Sequence, residues 1–412
     1  MTSPADITIL VRNQNDRLIL ELSTKEGSRL PPVQLLLTPA RLKELREAYA
    51  FGLRKFVAIL ATSGRVAKDR NIADTALRCL YSVGAELGFG IFGSMGVLDV
   101  QDFFRMAWPA WGKAADDDYV PPRVELVGSL DFPLPLEFVP LFSTEELLPS
   151  TSLENIACRF PVFSTIFFRS ASDISPQTAE VIDNRMALLV RLFLHADLKG
   201  AKQEFDFLKS ARGATLRGPW PDRAMPPNDF IRSLADQMQF ATAANDTVTG
   251  TDHIQHFVCH CDTEKAHSRD FTIELAHSAK RWPFSASPAR TASLAELSAI
   301  FFGRKTSNVG PLVFLNACGS SKITPEGLLS FPSLFLRIGS RGVIGTETAI
   351  PDLAAAEFAR EFYTLFFKGL TLGEALFEAR MRLLRTRFNP IGALYSAYAN
   401  ADLRIREAGG AT

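Results

Sequence analysis

A cysteine and a histidine each close an apolar segment of this chain, and together they could form a nucleophilic site. Cys318 follows the predicted strand 311–317, whose apolar run is 311–315, and His260 closes the run 254–260. A thiol becomes a strong nucleophile near neutral pH when a neighbouring base takes its proton, and histidine can serve as that base. Two strand ends of one sheet could hold such a pair together across a long sequence gap. The pattern therefore predicts a Cys/His hydrolase.

The segments around this pair alternate between predicted strands and predicted helices. Apolar strands of this length, separated by helices, imply an α/β fold with a mostly parallel sheet that is covered on both faces. Catalytic groups of such folds gather at the carboxyl ends of strands, which is where His260 and Cys318 lie. The predicted strands are residues 188–194, 253–260, 311–317 and 341–346, and the predicted helices are residues 199–208, 229–240, 292–302, one capped by Asp352, and one that opens with Thr371 and Glu374.

The first third of the chain has a different pattern. Two β-like segments within residues 7–22 flank a polar turn and predict a hairpin. Thr38 followed by Pro39 predicts the start of a helical region. The acidic, proline-containing stretch 111–122 cannot continue a helix and marks a boundary. The predicted domains are an N-terminal hairpin and helical region at residues 1–118 and an α/β domain at residues 119–412.

Composition and charge exclude several kinds of protein. The chain has 412 residues with 45 Lys and Arg against 45 Asp and Glu, so it lacks the basic excess of nucleic-acid binders. No apolar stretch reaches the roughly 18 residues that span a bilayer, and the first residues lack the pattern of a signal peptide. Five cysteines are too few, and odd in number, for a disulfide framework. We expect a cytoplasmic protein with reduced thiols that binds neither nucleic acid nor membrane directly.

The candidate residues also have plainer interpretations. Free cysteine is among the most buried residue types, and a lone histidine is more often structural. His256 shares a face with His260 if the strand alternates regularly, so it is either support for the site or an alternative base. The triplet Cys259-His260-Cys261 suggests zinc, but no second cysteine pair is present, and alternation turns both cysteines away from His260. We therefore predict neither a metal nor another cofactor.

Several short motifs follow one another in an order that is hard to obtain by chance. They are residues 135–138 (PLEF), 254–260, 312–318 (LVFLNAC), 339–347 (GSRGVIGTE), 351–352, 361–363 and 373–376. Together they resemble the CHAT proteases, caspase-like peptidases related to caspases and separases, over about residues 121–406. The first third resembles the lead-in of free-standing bacterial members. The resemblance implies a caspase-like fold and a CHAT peptidase domain at residues 119–412.

The same resemblance implies a cysteine endopeptidase with His260 as base and Cys318 as nucleophile. Backbone N–H groups of Cys318 and Cys261 would hold the oxyanion. Caspase-like enzymes usually have glycine directly after the histidine, and a backbone angle that only glycine accepts easily would be strained at Cys261. This departure leaves a second hypothesis open, a non-catalytic caspase-like module that binds other proteins.

Expectations about the substrate come from two acidic residues and from the resemblance. Asp262 and Glu347 lie near the expected cleft and could bind an arginine or lysine side chain through charge-assisted hydrogen bonds, although a capping role or a solvated loop is an equal alternative. The resemblance implies a protein substrate, leaves room for an activating partner, and suggests bacterial antiviral defence or programmed death. A gasdermin-like pore former is one substrate that such systems use.

Overall fold

The computed structural model describes most of the chain. It covers residues 5–14, 17–35, 37–62, 65–66, 68–113, 116, 118–129, 134–141, 147–172, 181–183, 188–222, 226–238, 252–262, 271–276, 289–302, 310–317 and 330–406. Ala317 is the last described residue before Cys318, which lies outside this set.

The described strands and helices are interspersed along the chain. The helices are α1 (Pro39–Leu60), α2 (Arg70–Ala107), α3 (Leu153–Ala157), α4 (Pro161–Ser164), α5 (Lys199–Ser210), α6 (Pro227–Met238), α7 (Leu294–Phe301), α8 (Phe331–Arg337), α9 (Asp352–Phe366) and α10 (Leu372–Arg387). The strands are β1 (Ile7–Gln14), β2 (Arg17–Thr24), β3 (Val33–Gln34), β4 (Ala61–Thr62), β5 (Arg65–Val66), β6 (Arg123–Gly128), β7 (Ile166–Ala171), β8 (Val181–Asp183), β9 (Leu188–Leu194), β10 (Ala214–Trp220), β11 (Ile254–Asp262), β12 (Thr272–Leu275), β13 (Arg290–Ser293), β14 (Leu312–Ala317), β15 (Gly342–Thr346), β16 (Tyr395–Ala399) and β17 (Arg404–Arg406).

The described residues form two compact units. The first holds the described residues up to 172 together with residues 372–394, and the second holds those of 181–371 together with 395–406. The predicted domain boundary between residues 118 and 119 stays a prediction.

The first unit contains the predicted hairpin and helices. Its strands follow the order β7-β6-β1-β2-β3, in which β1 and β2 form the hairpin and β6 and β7 continue the sheet in parallel. Helix α1 begins where predicted, because the Thr38 side chain accepts a hydrogen bond from the Arg41 N–H. Helix α2 is kinked at Gly93, whose φ of 72° suits glycine and does not continue a helix.

A helix must be both long and apolar to span a bilayer, and this requirement applies to each of the described helices. None of them taken singly is long and apolar enough to cross a bilayer, although the two parts of α2, residues 70–93 and 96–107, satisfy that criterion as a bent pair.

The second unit is built on a mostly parallel sheet. Its strands follow the order β10-β9-β11-β14-β15-β16, and neighbours run parallel except β15 and β16. On β11, His256 faces α5 and α9, whereas the next residue, Phe257, packs against Phe335 of α8 on the other side. Every residue of β14 and β15 is buried. The predicted α/β fold, a mostly parallel sheet flanked by helices, is confirmed.

Helices α5 and α9 approach each other closely at their amino ends. A Cβ at Gly200 would lie 2.2 Å from the carbonyl oxygen of Asp352, so only glycine allows this approach. The Asp352 carboxylate accepts hydrogen bonds from the N–H groups of Lys199 at 2.7 Å and Gly200 at 3.4 Å. Pro351 is the N-cap of α9, so the prediction that Asp352 caps that helix is wrong. Its Oδ1 accepts a hydrogen bond from the N–H of Leu353 in α9 at 2.8 Å, and its Oδ2 caps the neighbouring helix α5.

Candidate active site

Three neighbouring parallel strands end at one edge of the sheet in the second unit. Strand β11 lies between β9 and β14, and its ladder with β14 runs from Ile254 and Leu312 to Cys259 and Ala317. The residues that follow this last pair in the sequence are His260 and Cys318. Strands β9 and β11 are further fixed by Phe193 and Phe257, register partners whose rings stack 4.2 Å apart.

His260 stands near the end of β11 and is exposed to solvent. Its direct partner on the antiparallel strand β12 is Glu274. The ring of His195, which follows β9, meets the ring of His260 edge to face, with centroids 4.7 Å apart and an interplanar angle of 76°. An exposed imidazole at a strand end is able to exchange protons with a substrate or a neighbouring thiol.

His195 is a site residue that the sequence reasoning missed. Its Nε2 lies 3.2 Å from Oε1 of Glu274, and its backbone N–H donates to the carbonyl of Val258 at 2.7 Å. Burial lowers the pKa of His195 below its usual value, as does nearby His260, while Glu274 acts in the opposite direction. The signal was available, because His195 follows the predicted strand 188–194 just as His260 closes its own.

His256 lies deeper on the same strand and is fully buried. Its Nε2 is 2.6 Å from Oε2 of Glu204 on α5, and its Nδ1 is 3.0 Å from the hydroxyl oxygen of Tyr363 on α9. Both ring nitrogens therefore have partners and neither reaches solvent. Of the two roles expected for His256, these contacts favour support of the site over that of an alternative base.

Asn316 connects this buried layer to the strand that leads to Cys318. Its side-chain amide donates to both carboxylate oxygens of Glu204, at 2.9 and 2.8 Å, and its oxygen accepts from the hydroxyl of Tyr395 at 2.7 Å. The hydroxyl of Thr346 donates to the carbonyl of Ala317 at 2.5 Å. The two residues directly before Cys318 are thus each held by side-chain hydrogen bonds.

Glu204 was not predicted as part of the site, although the sequence carries a signal for it. It shares the buried face of α5 with Gly200 and Leu208, at four-residue spacing. A carboxylate at an inward position of an amphipathic helix needs polar partners, because an unpaired buried charge is costly. Here those partners are His256 and Asn316.

A pocket of about 240 Å³ opens beside His260. Its lining is mostly apolar, and both of its carboxylates, from Glu204 and Asp352, already accept hydrogen bonds from protein groups. The lining residues are Leu198, Glu204, Val258, Cys259, His260, Asn316, Ala317, Thr346, Ile350, Asp352 and Ala355. The pocket can take up an uncharged side chain of a bound peptide next to the imidazole.

The remaining predicted residues lie around this edge. Cys261 is a buried residue of β11, and among the described non-glycine residues only Phe388 has a positive φ, so the strain expected at Cys261 is absent. Asp262 is the last residue of β11, and its side chain lies outside the description. Glu347 directly follows β15 and is partly buried.

The remaining points concern the other cysteines and the possibility of a bound metal ion. Cys259 is buried like Cys261, and burial raises the pKa of Cys158 to about 12, so that thiol stays protonated near neutral pH. Within the part of the chain that the structure describes, no three His, Cys, Asp or Glu side chains are arranged to hold a metal ion.

Comparison with known proteins gives matches in sequence and in structure. A probable protease of Vitiosangium sp. (strain GDMCC 1.1324) is 39% identical over 97 residues, which are 23% of this chain and 13% of that protein's length. Two crystal structures of the Saccharomyces cerevisiae separase–securin complex, at 2.6 and 3.0 Å resolution, also match. In both, the match covers 97% of this chain and 30% of the matched chain, with a TM-score of 0.45. The sequence identities are 10% and 11%. At that score the structural likeness carries no conclusion.

The match to a family model covers more of this chain. The model of the CHAT domain matches residues 161–392, which is more than half of the chain and includes His195, His260 and Cys318. The chain therefore belongs to the CHAT domain family.

Proposed function

We propose that this protein is a cysteine endopeptidase in which His260 and Cys318 form the catalytic dyad. The observation that carries the proposal is the register of two parallel strands. The ladder between β11 and β14 ends at Cys259 and Ala317, and the next residue of each segment is one member of the dyad. Membership of the CHAT family and the relative named a probable protease support the same reaction class.

In the proposed reaction His260 takes the proton from the sulfur of Cys318. The thiolate attacks the carbonyl carbon of a peptide bond, and backbone N–H groups of Cys318 and Cys261 stabilise the oxyanion. His260 then gives its proton to the amine of the leaving peptide, which departs and leaves a thioester. Water, deprotonated by His260, hydrolyses the thioester and restores the thiol.

The exposure of His260 favours this role over a structural one. A base must approach both the nucleophile and the leaving group, and His260 is exposed at a sheet edge beside a pocket. The ordinary strand backbone at Cys261 also removes the strain that favoured a non-catalytic module.

The test is the cleavage of a complex peptide mixture, such as a Glu-C digest of a whole proteome. The unmodified protein should create new peptide termini that mass spectrometry identifies, and the Cys318→Ala variant should create none above background. Cys158→Ala is the matched control, because it removes a buried thiol outside the proposed site and should retain the cleavage. Equal cleavage by the Cys318→Ala variant would sink the proposal.

For specificity we propose that Asp262 and Glu347 favour arginine or lysine before the cleaved bond. Glu347 directly follows Thr346 of the pocket lining but is not itself part of that lining, so the basic side chain would bind beside the apolar pocket and not in it. The same peptide mixture gives the test, because the residue before each new terminus can be counted. Glu347→Gln should weaken a preference for basic residues, whereas an unchanged preference would leave Glu347 as a structural group.

For the natural substrate we propose another protein of a bacterial defence or cell-death system, such as a gasdermin-like pore former, with cleavage in the cytoplasm. This extends the resemblance to CHAT proteases. Purified gasdermin-like protein incubated with the wild-type and Cys318→Ala chains is the direct test, with one new fragment pair expected for the wild type alone.

A further inference from the structure

His260 of the proposed dyad forms a cluster with two residues outside the dyad, His195 and Glu274. His195 comes from the end of β9, Glu274 from β12 and His260 from β11. The two rings meet edge to face, and Glu274 bonds to His195 while it stands opposite His260 in the ladder. Side chains of directly opposed residues extend from the same face with Cβ atoms about 5 Å apart. Glu274 is therefore bonded to one histidine and directly opposite the other in the ladder.

His195 is fixed more firmly than His260. It is only 3% exposed, and its backbone N–H is bonded to β11. Its Nδ1 accepts from the N–H of Asp197 at 3.4 Å, which leaves the proton on Nε2 for the bond to Glu274. Burial and His260 both lower the pKa of His195, which favours the neutral form of this ring.

We infer that His195, held by Glu274, is a positioning residue for His260, and that the Glu274 carboxylate stabilises the imidazolium that His260 becomes. The inference rests on the proposed function, because it gives a role in that reaction to two residues outside the dyad. The proton moves from the sulfur of Cys318 to His260 and later to the leaving amine. His195 and Glu274 neither gain nor lose a proton in any step.

The other described charged groups near His260 interact with residues other than His260. Glu204 of α5 is bonded to His256 and Asn316, and Asp352 of α9 caps α5. Asp197, which follows β9, interacts electrostatically with His195, whose pKa it raises, and not through a hydrogen bond to His260. The side chain of Asp262 on β11 lies outside the description. Glu274 is thus the described carboxylate that is both opposite His260 and bonded to the ring packed against it.

The test measures the rate at which iodoacetamide alkylates Cys318 between pH 5 and 9, residue by residue with mass spectrometry. This readout needs no substrate and reports the thiolate that His260 helps to maintain. Glu274→Gln keeps the shape of the side chain and removes its charge, and should slow the reaction at pH 6 roughly 3- to 10-fold, the size of a partly screened charge interaction. His195→Phe keeps an aromatic ring at this position but removes the bond to Glu274, and it should slow the alkylation of Cys318 to a similar extent.

His253→Phe is the matched control. His253 bonds to the backbone N–H of Leu189 just before β11, at the other end of that strand, so its loss weakens the fold without touching the cluster. The control should leave the pH profile of Cys318 unchanged. Circular dichroism with thermal unfolding checks that each variant is folded. If His195→Phe does not fold, Glu274→Gln, whose side chain is 35% exposed, decides the question alone.

Each outcome separates this inference from the proposed function. A slow wild-type Cys318, no faster than Cys158 or Cys79, would overturn both. A fast wild-type Cys318 with unchanged profiles in folded Glu274→Gln and His195→Phe would overturn only the positioning role. A selective loss of rate in these variants, with the control unchanged, supports it, since mere packing would not alter a pH profile.

Discussion

Two histidines on one strand face occupy opposite environments, and the contrast separates structural from chemical roles. His256 is fully buried between α5 and α9, and both of its ring nitrogens have partners. His260, four residues later, is exposed and lies against His195. The residue type, the strand and its alternation are the same, so depth and partners decide what each imidazole can do.

The buried layer around His256 and the exposed edge at His260 also differ in how many of their polar groups are hydrogen-bonded within the protein. The buried layer of Tyr363, His256, Glu204, Asn316 and Tyr395 is a continuous chain of hydrogen bonds. Such a network is stabilising when complete and costly when one member is removed. The open edge at His260 has room for a substrate beside it. We expect mutations in the buried layer to change stability and mutations at the edge to change activity.

The largest expected effect is on activity, from His260→Ala. Loss of the proposed general base should lower kcat/KM for a peptide substrate by about 10²- to 10⁴-fold. The free energy of unfolding should change by no more than about 0.5 kcal/mol, because the side chain is exposed. Peptide cleavage assays and urea unfolding measure the two quantities. Cleavage that survives this substitution would break the contrast between the two histidines.

The next effect is on stability, from Glu204→Ala. Its carboxylate accepts from Asn316 and bonds to His256, and removing it leaves these buried groups unpaired. At about 1–3 kcal/mol for each unpaired group, the free energy of unfolding should fall by about 3 kcal/mol. Glu296→Ala, on the capping box of α7, is a control that should cost only about 1 kcal/mol. Equal losses of stability for both variants would show that the buried network contributes no more than a surface helix cap.

A smaller effect is expected from Tyr363→Phe. It removes one hydroxyl and leaves Nδ1 of buried His256 without its partner, at a cost of about 1–2 kcal/mol. Tyr395→Phe removes the corresponding bond to Asn316 and should cost a similar amount. Urea unfolding of each variant gives the measurement. A variant as stable as the wild type would mean that the outer members of the network contribute little.

The smallest effect concerns a buried thiol at high pH. Burial raises the pKa of Cys158 from near 9 to about 12, so the folded chain holds this proton more tightly than the unfolded chain does. The resulting stability is fully present below about pH 9 and is lost as pH rises through 12. Between pH 9 and 10.5 the wild type should therefore lose about 1 kcal/mol per pH unit more than Cys158→Ala. Parallel pH dependences for the two chains would contradict the assignment.

Much of this arrangement could be predicted from periodicity and strand ends. The α/β order, the hairpin, the start of α1 at Pro39 and the position of His260 follow from local patterns. The partners of the site could not, because Glu204 and Tyr363 meet His256 through helices α5 and α9, more than 50 residues away on either side. Asp352 shows the same limit. Its place at a helix start suggested the N-cap of α9, but Pro351 has that position, and the close approach at Gly200 lets one Asp352 oxygen cap α5.

The most direct test of the account is the alkylation rate of each cysteine at pH 6. An ordinary thiol of pKa near 8.5 is only about 0.3% thiolate at that pH, so an activated cysteine stands out. We expect iodoacetamide to label Cys318 at least about 10-fold faster than Cys79 or Cys158. His260→Ala should remove this advantage, whereas His256→Ala, compared under conditions where it is folded, should retain most of it. Equal, slow labelling of Cys318 in the wild type, or full labelling without His260, would contradict it.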